Sequence, residues 1–179
     1  FGAEPSKAGF VCDLFGHISQ LPQIFGGFGL ETAFLWRGVN GEHRRHFHWR
    51  GADGSELFCY RFAHIGYCDY AFRVRYAHRQ SVPFDAEETK KRIDEYLERE
   101  ASETEISPVL LFDGADHCEW DQASYRALKE KFGVENGWEI RHADLDEYVD
   151  EALKHRHEVK ETLEGELSQP GETPLDSPH

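Results

Sequence analysis

The sequence contains no methionine and no apolar run that approaches the roughly 20 residues needed to cross a bilayer. It begins at Phe1 without the basic and apolar regions of a signal peptide, so we expect an internal piece of a longer protein. Basic residues are also scarce, because 20 Lys and Arg face 34 Asp and Glu and the formal net charge is −14. This balance argues against nucleic acid and anionic membranes as partners.

Cysteine pairs of the Cys-x-x-Cys kind are absent, although the chain has four cysteines, at positions 12, 59, 68 and 118. Scattered single cysteines favour reduced thiols, and therefore a cytoplasmic location, over a disulfide framework. Cys12 and Cys59 lie in apolar runs and are predicted core residues.

Three common catalytic and nucleotide-binding motifs are missing as well. The chain has no Gly-x-x-x-x-Gly-Lys loop, no Gly-x-Gly-x-x-Gly after a strand and no Gly-x-Ser-x-Gly elbow. These absences argue against P-loop nucleotide hydrolysis, Rossmann-type dinucleotide binding and serine-based hydrolysis. The chemistry must come from other side chains.

The order of apolar and helical patterns predicts an α/β fold with a parallel, barrel-like sheet. Strands are predicted at 9–12, 32–36, 109–112 and 138–141. Four helices are predicted: one after Ser19 as N-cap with Pro22 in its first turn, one from an Asp85 capping box to about residue 101, one over 122–132 and one starting at Asp144.

Two further segments complete the predicted organisation. A β-hairpin over 47–62, around the turn 51–54, is expected beside the main sheet as an insertion. Residues 1–164 are expected to form one catalytic domain, and the Pro-, Gly- and Ser-rich segment 165–179 a flexible tail.

Two acidic residues follow predicted strands and are the first candidates for chemistry. Asp13 comes after the first strand and Asp116 after the strand at 109–112, while Arg37 is expected at the same sheet edge as Asp13. Since the carboxyl ends of parallel strands share one edge, the two acids are expected to meet there. Glycoside hydrolysis needs such a pair; the alternative is two unrelated loop acids.

The 11 histidines offer a second set of candidates. His46 and His48 share one face of a strand, which is a chelating spacing, but two arginines precede them. A solvated hairpin face is therefore favoured over a metal site. His17 lies in the turn after Asp13, where it either orients the carboxylate by a hydrogen bond or packs.

The stretch Asp-x-Phe-Gly-His-x-x-Gln-Leu-Pro-Gln-Ile from Asp13, followed by Gly-Phe-Gly and Phe-Leu-Trp-Arg-Gly-Val, resembles glycoside hydrolase family 38 over residues 12–39. These are zinc-dependent, retaining α-mannosidases. The apolar run that ends in Gly-x-Asp at Asp116 resembles a second family motif.

The resemblance implies roles for four residues. Asp13 is the expected nucleophile and a ligand of Zn²⁺, Asp116 the general acid and base, Phe15 a wall of the sugar pocket and Arg37 a contact of the active site. Retention of configuration requires the two carboxyl groups to lie roughly 5 Å apart. Mannose-containing oligosaccharides or small mannosides are the implied substrates.

One departure from the family pattern concerns zinc. The His-x-His-Trp-Asp stretch that precedes the nucleophile in the family is absent, because only 12 residues precede Asp13. One carboxylate does not hold zinc tightly, so this chain alone is expected to be inactive. A sugar-binding or scaffolding homologue is the alternative. An internal piece exposes surfaces that the longer protein buries, so we expect self-association into a homo-oligomer.

Overall fold

A computed structural model describes residues 2, 4–76, 81–132 and 137–170. In these ranges the strands are β1 (Ala8–Phe10), β2 (Thr32–Leu35), β3 (His46–Arg50), β4 (Glu56–Arg61) and β5 (Thr162–Glu164). The helices are α1 (Leu21–Gly27), α2 (Ala86–Glu103), α3 (Gln122–Phe132) and α4 (Leu145–His155). Short turns of 3₁₀ helix lie at Gly66–Cys68 and Arg156–Glu158, and a π-helical turn lies at Ala71–Arg75.

The strands form one mixed sheet in the order β1-β2-β4-β3-β5. β1, β2 and β4 run parallel, whereas β3 pairs antiparallel with β4 and parallel with β5. The predicted hairpin β3-β4 exists, but its expected place beside the main sheet is wrong, because β4 is the central strand of that sheet. The α/β class is confirmed.

The two faces of the sheet bury different residues, as the alternation of side chains along a strand requires. On β2, Phe34 faces one cluster while Ala33 and Leu35 face the other. The first cluster packs against α4 through Tyr148 and the residues around it. The second packs against α1 and against Leu167. The sheet is therefore covered on both sides.

Buried charges attach α2 to the sheet. The Arg45 guanidinium donates two hydrogen bonds to the Glu100 carboxylate, at 2.7 and 2.8 Å, and both side chains are at most 2% exposed. Asp69, 2% exposed, pairs with Arg73 at 2.9 Å and with Arg99 at 2.6 Å. Paired in this way, these charges tolerate their removal from water.

The N-caps of α2 and α4 agree with the sequence prediction, and the N-cap of α1 differs from it. The Asp85 side chain accepts from the Glu88 amide, and Asp144 forms a capping box with Glu147, as expected of acidic N-caps. The expectation that Ser19 caps α1 is wrong. The N-cap is Gln20, whose side chain makes no capping hydrogen bond, because the chain enters α1 through a backbone turn in which the Leu21 amide donates to the Ile18 carbonyl.

Two predicted strands are absent from the described part of the sheet. Val109–Phe112 forms no ladder; its Leu110 and Phe112 side chains pack on the first cluster instead. Trp138–Arg141 is also irregular, and Trp138 is 46% exposed. An apolar run indicates that its side chains are buried, but it does not indicate that a partner strand lies beside it.

Candidate active site

Asp13 and Arg37 meet at the edge where β1 and β2 end. These strands are parallel neighbours, with Phe10 in register with Phe34, so the residues that follow them emerge together. The Arg37 Nε donates to the Asp13 Oδ1 at 2.8 Å. The predicted meeting of Asp13 and Arg37 at one edge is confirmed. The Asp13 side chain is 57% exposed, so the carboxylate faces solvent.

Two aromatic rings hold the Arg37 guanidinium. It lies 4.3 Å from the centroid of the Phe15 ring and 4.0 Å from that of the Trp36 ring. Cations are attracted to the negative faces of such rings. The expected wall residue Phe15 thus stands beside Asp13, and 48% of its surface is exposed.

His17 lies beneath the loop that carries Asp13. Among the described contacts, none joins His17 to the Asp13 carboxylate. It is buried, its Nε2 is 3.0 Å from the Arg37 carbonyl oxygen, and its ring meets Trp49 edge-on at 6.0 Å. Burial lowers the pKa of His17, and the Arg37 carbonyl partly opposes this. Of the two predictions left open, packing describes His17, with a bond to the Arg37 backbone.

Asp116 is bound by a tyrosine that sequence reasoning missed. The Tyr67 hydroxyl lies 3.1 and 3.0 Å from the two carboxylate oxygens of Asp116. Loss of water contact raises the pKa of Tyr67, and the hydrogen bond to Asp116 and the charge of Asp13 raise it further. Asp116 therefore contacts the phenol directly, whereas Asp13 affects it only through its charge. Tyr67 lies in a basic, aromatic stretch whose structure the pattern left undetermined.

One arginine anchors the loop that carries Asp116. The Arg75 side chain is 4% exposed; its Nε lies 3.1 Å from the Asp113 carboxylate and its Nη1 donates to the Glu119 carbonyl at 3.1 Å. Burial raises the pKa of Asp113, and the charge of Arg75 opposes the rise. Arg75 thus binds both ends of this loop, although the described residues directly before the loop form no strand.

The segment 165–170 crosses beneath the site. Leu167 is 3% exposed and exchanges two backbone hydrogen bonds of 2.9 Å with His17, and the Gln169 amide donates to the Gly38 carbonyl at 3.0 Å. This part of the predicted flexible tail is packed, because its backbone pairs with both loops that carry candidate residues. Residues 171–179 of the predicted tail lie outside the described residues.

The histidines of the hairpin are not a solvated face, contrary to expectation. His46 is 1% exposed, its ring stacks on Phe58, and its Nε2 is 2.8 Å from the Tyr148 hydroxyl. His48 is half-buried, with its Nδ1 3.0 Å from the Glu56 carboxylate and its Nε2 3.1 Å from the Arg156 carbonyl oxygen. Since these residues are engaged in the core and in separate pairs, the hairpin offers no chelating set among the contacts described.

The described residues do not fit a zinc site on their own. They contain no group of three or more His, Cys, Asp or Glu side chains arranged to hold a metal ion. Asp13, the implied ligand, pairs with the Arg37 guanidinium. A structural or catalytic zinc needs at least three protein ligands.

The helices within the described ranges are too short or too polar for any of them to span a membrane.

The exposed Asp13 carboxylate and its arginine partner lie at the carboxyl edge of the sheet, which is where α/β folds bind ligands. The profile of the "Glycosyl hydrolases family 38 N-terminal domain" matches residues 1–166. The chain belongs to glycoside hydrolase family 38.

Comparison with solved structures agrees with this fold. The chain is similar to an alpha-mannosidase from Enterococcus faecalis V583, with a TM-score of 0.75 and 22% identity over 93% of the chain. It spans 18% of the length of that protein. No curated protein matches the sequence.

Proposed function

We propose that this chain carries the two catalytic carboxylates of an α-mannosidase that hydrolyses terminal α-mannosidic bonds with retention of configuration. Asp13 is the nucleophile and Asp116 the general acid and base. The observation that carries the proposal is Tyr67, which bonds Asp116 and whose pKa is also raised by the charge of Asp13. A tyrosine that is hydrogen-bonded to one candidate acid and whose pKa responds to the charge of the other suits the two-acid chemistry of glycoside hydrolysis.

The reaction has two steps. In the first, an Asp13 oxygen forms a bond to the anomeric carbon while the glycosidic bond breaks, and Asp116 gives its proton to the leaving oxygen. In the second, Asp116 takes a proton from water, the water oxygen bonds to the anomeric carbon, and Asp13 is released. Two inversions at one carbon give net retention.

The neighbouring side chains prepare these steps. Arg37, held between Phe15 and Trp36, fixes the direction of the Asp13 carboxylate through its 2.8 Å bond. The exposed part of the Phe15 ring offers an apolar surface to the sugar. Tyr67 fixes the Asp116 carboxyl group on the other side of the bond that breaks. Mannose-containing oligosaccharides or small mannosides are the proposed substrates.

Zinc belongs to the proposal only for an enzyme that contains further ligands. Among the described residues Asp13 is the single carboxylate that the family resemblance assigns to the metal, and no cluster of three ligands surrounds it. The steps above therefore use only side chains of this chain. Titration of the chain with Zn²⁺, monitored by calorimetry, should show no tight binding of one zinc ion per chain.

Hydrolysis of aryl α-mannosides in the presence of Zn²⁺, by an enzyme that contains this chain and the further zinc ligands, tests the catalytic roles. Asp13→Asn should abolish turnover of every substrate. Asp116→Ala should slow a substrate with a poor leaving group by about 10²- to 10⁴-fold, and one with a dinitrophenyl leaving group far less, because the latter needs no proton. Asp150→Asn, which changes an exposed acid paired with Lys7, is the control. Equal losses in both Asp116→Ala assays would refute the acid role.

A catalytically incomplete, sugar-binding homologue is the second candidate, favoured by the lack of a three-ligand metal cluster among the described residues. It predicts that mannosides bind to the zinc-supplemented protein without turnover. Binding that Asp13→Asn leaves intact, together with no detectable hydrolysis by an enzyme that contains this chain and the further zinc ligands, would select this alternative.

A further inference from the structure

Three rings form an exposed aromatic platform next to the Asp116 loop. Trp120 follows that loop, Tyr125 lies on α3, and His142 precedes α4. The Trp120 ring lies 5.1 Å from Tyr125 and stacks on His142 at 6.3 Å with planes 13° apart. Tyr125 and His142 are themselves 5.2 Å apart. The three rings support one another.

The platform remains open to solvent. Trp120 is 49% exposed even though Tyr125 and His142 contact it. A large aromatic surface left in water is costly unless it meets a ligand, and rings of this kind with polar edges are typical of binding sites. Lys129 lies 5.9 Å from the Tyr125 ring and covers part of the helix side of the platform.

The chain places this platform close to the proposed general acid. Trp120 is four residues after Asp116, and four residues span at most about 14 Å. Arg75 restrains the segment further, because its side chain pairs with Asp113 and also binds the Glu119 carbonyl directly before Trp120. The platform tryptophan is thus anchored to the same loop as the proposed general acid.

The position of the acid indicates which part of a substrate lies there. A general acid protonates the oxygen that leaves with the second sugar, so this sugar lies next to the acid. We propose that Trp120, supported by Tyr125 and His142, binds by ring stacking the neutral sugar on the leaving-group side of the bond that breaks. This inference rests on the proposed function. It predicts that the enzyme prefers an oligosaccharide to a simple mannoside.

Binding is tested on the full chain by ¹H–¹⁵N spectra of the indole N–H groups during titration with an α-linked mannobiose. The Trp120 signal, assigned from Trp120→Ala, should shift with saturation. Trp138 is the matched control, because it is 46% exposed and makes no ring contact with the three platform residues among the described ring contacts. Trp120→Ala should weaken binding about 3- to 10-fold, and Trp138→Ala should leave it unchanged.

Kinetics of an enzyme that contains this chain and the further zinc ligands separate this inference from the proposed function. Trp120→Ala should lower kcat/KM for mannobiose about 3- to 10-fold relative to that for methyl α-mannoside, and Trp120→Phe should restore most of it. Hydrolysis with an unchanged ratio would overturn the platform and leave the function standing. A specific shift of the Trp120 signal without hydrolysis would leave the platform standing and overturn the proposed function. No shift, or equal shifts of the Trp120 and Trp138 signals, would overturn the platform.

Discussion

Acidification should destabilise the protein through His46. Its ring is 1% exposed, stacks on Phe58 and lies 2.8 Å from the Tyr148 hydroxyl. Burial lowers the pKa of His46 from 6.5 to about 3, and the neighbouring Arg45 adds to the effect. The folded protein therefore holds a neutral imidazole at pH values where the unfolded chain is already protonated.

The size and sign follow from proton linkage. Because the unfolded state binds more protons below pH 6.5, stability is complete above that pH and falls as the pH drops towards about 3. Between pH 7 and pH 5 the free energy of unfolding should fall by about 2 kcal/mol on account of His46 alone. Such a loss moves a urea midpoint by about 1 M.

Urea unfolding at pH 7 and pH 5 measures this loss. His46→Gln should lose most of the pH dependence, whatever its stability at pH 7, with a smaller remainder from His17, whose pKa burial also lowers. His157→Gln is the control, because His157 meets water in both states. An equal change in urea midpoint between the two pH values for the unmodified protein and for His46→Gln would refute the reasoning.

Two further predictions concern stability. Glu100→Gln should lower the free energy of unfolding by about 3–5 kcal/mol in urea titrations, because it leaves the 2% exposed Arg45 without its full counter-charge; a loss below 1 kcal/mol would contradict this. Gly38→Ala should destabilise more than the about 1–2 kcal/mol expected for Gly54→Ala. Both glycines have φ of +85°, but only at Gly38 does a Cβ meet a backbone atom, the Leu167 oxygen at 2.5 Å. Equal losses in the two glycine variants would count against the packing of the segment 165–170.

Helix positions were predictable because their signals are local. Asp85 and Asp144 bind amides three residues on, and Pro22 needs no partner in the first turn of α1. Sheet membership depends on distant segments instead. Val109–Phe112 has the composition of a buried strand, yet it buries its side chains on the first cluster without a ladder.

The candidate site was predictable to the extent that it follows parallel strands. Asp13 and Arg37 emerge from β1 and β2, whose register brings them together. Tyr67 was not predictable, because its bond to Asp116 joins positions 49 residues apart through two irregular segments. The buried Arg45–Glu100 pair was not predictable either, because charged side chains usually lie on the protein surface.

Covalent trapping tests the central claim most directly. A 5-fluoro-mannosyl fluoride forms the glycosyl–enzyme bond quickly and hydrolyses it slowly, so the nucleophile of a retaining enzyme keeps the sugar. Peptide mass spectrometry of an enzyme that contains this chain and the further zinc ligands should find one adduct, on Asp13, and none after Asp13→Asn. An adduct on another acid, or turnover without any adduct, would contradict the assignment of Asp13 as the nucleophile.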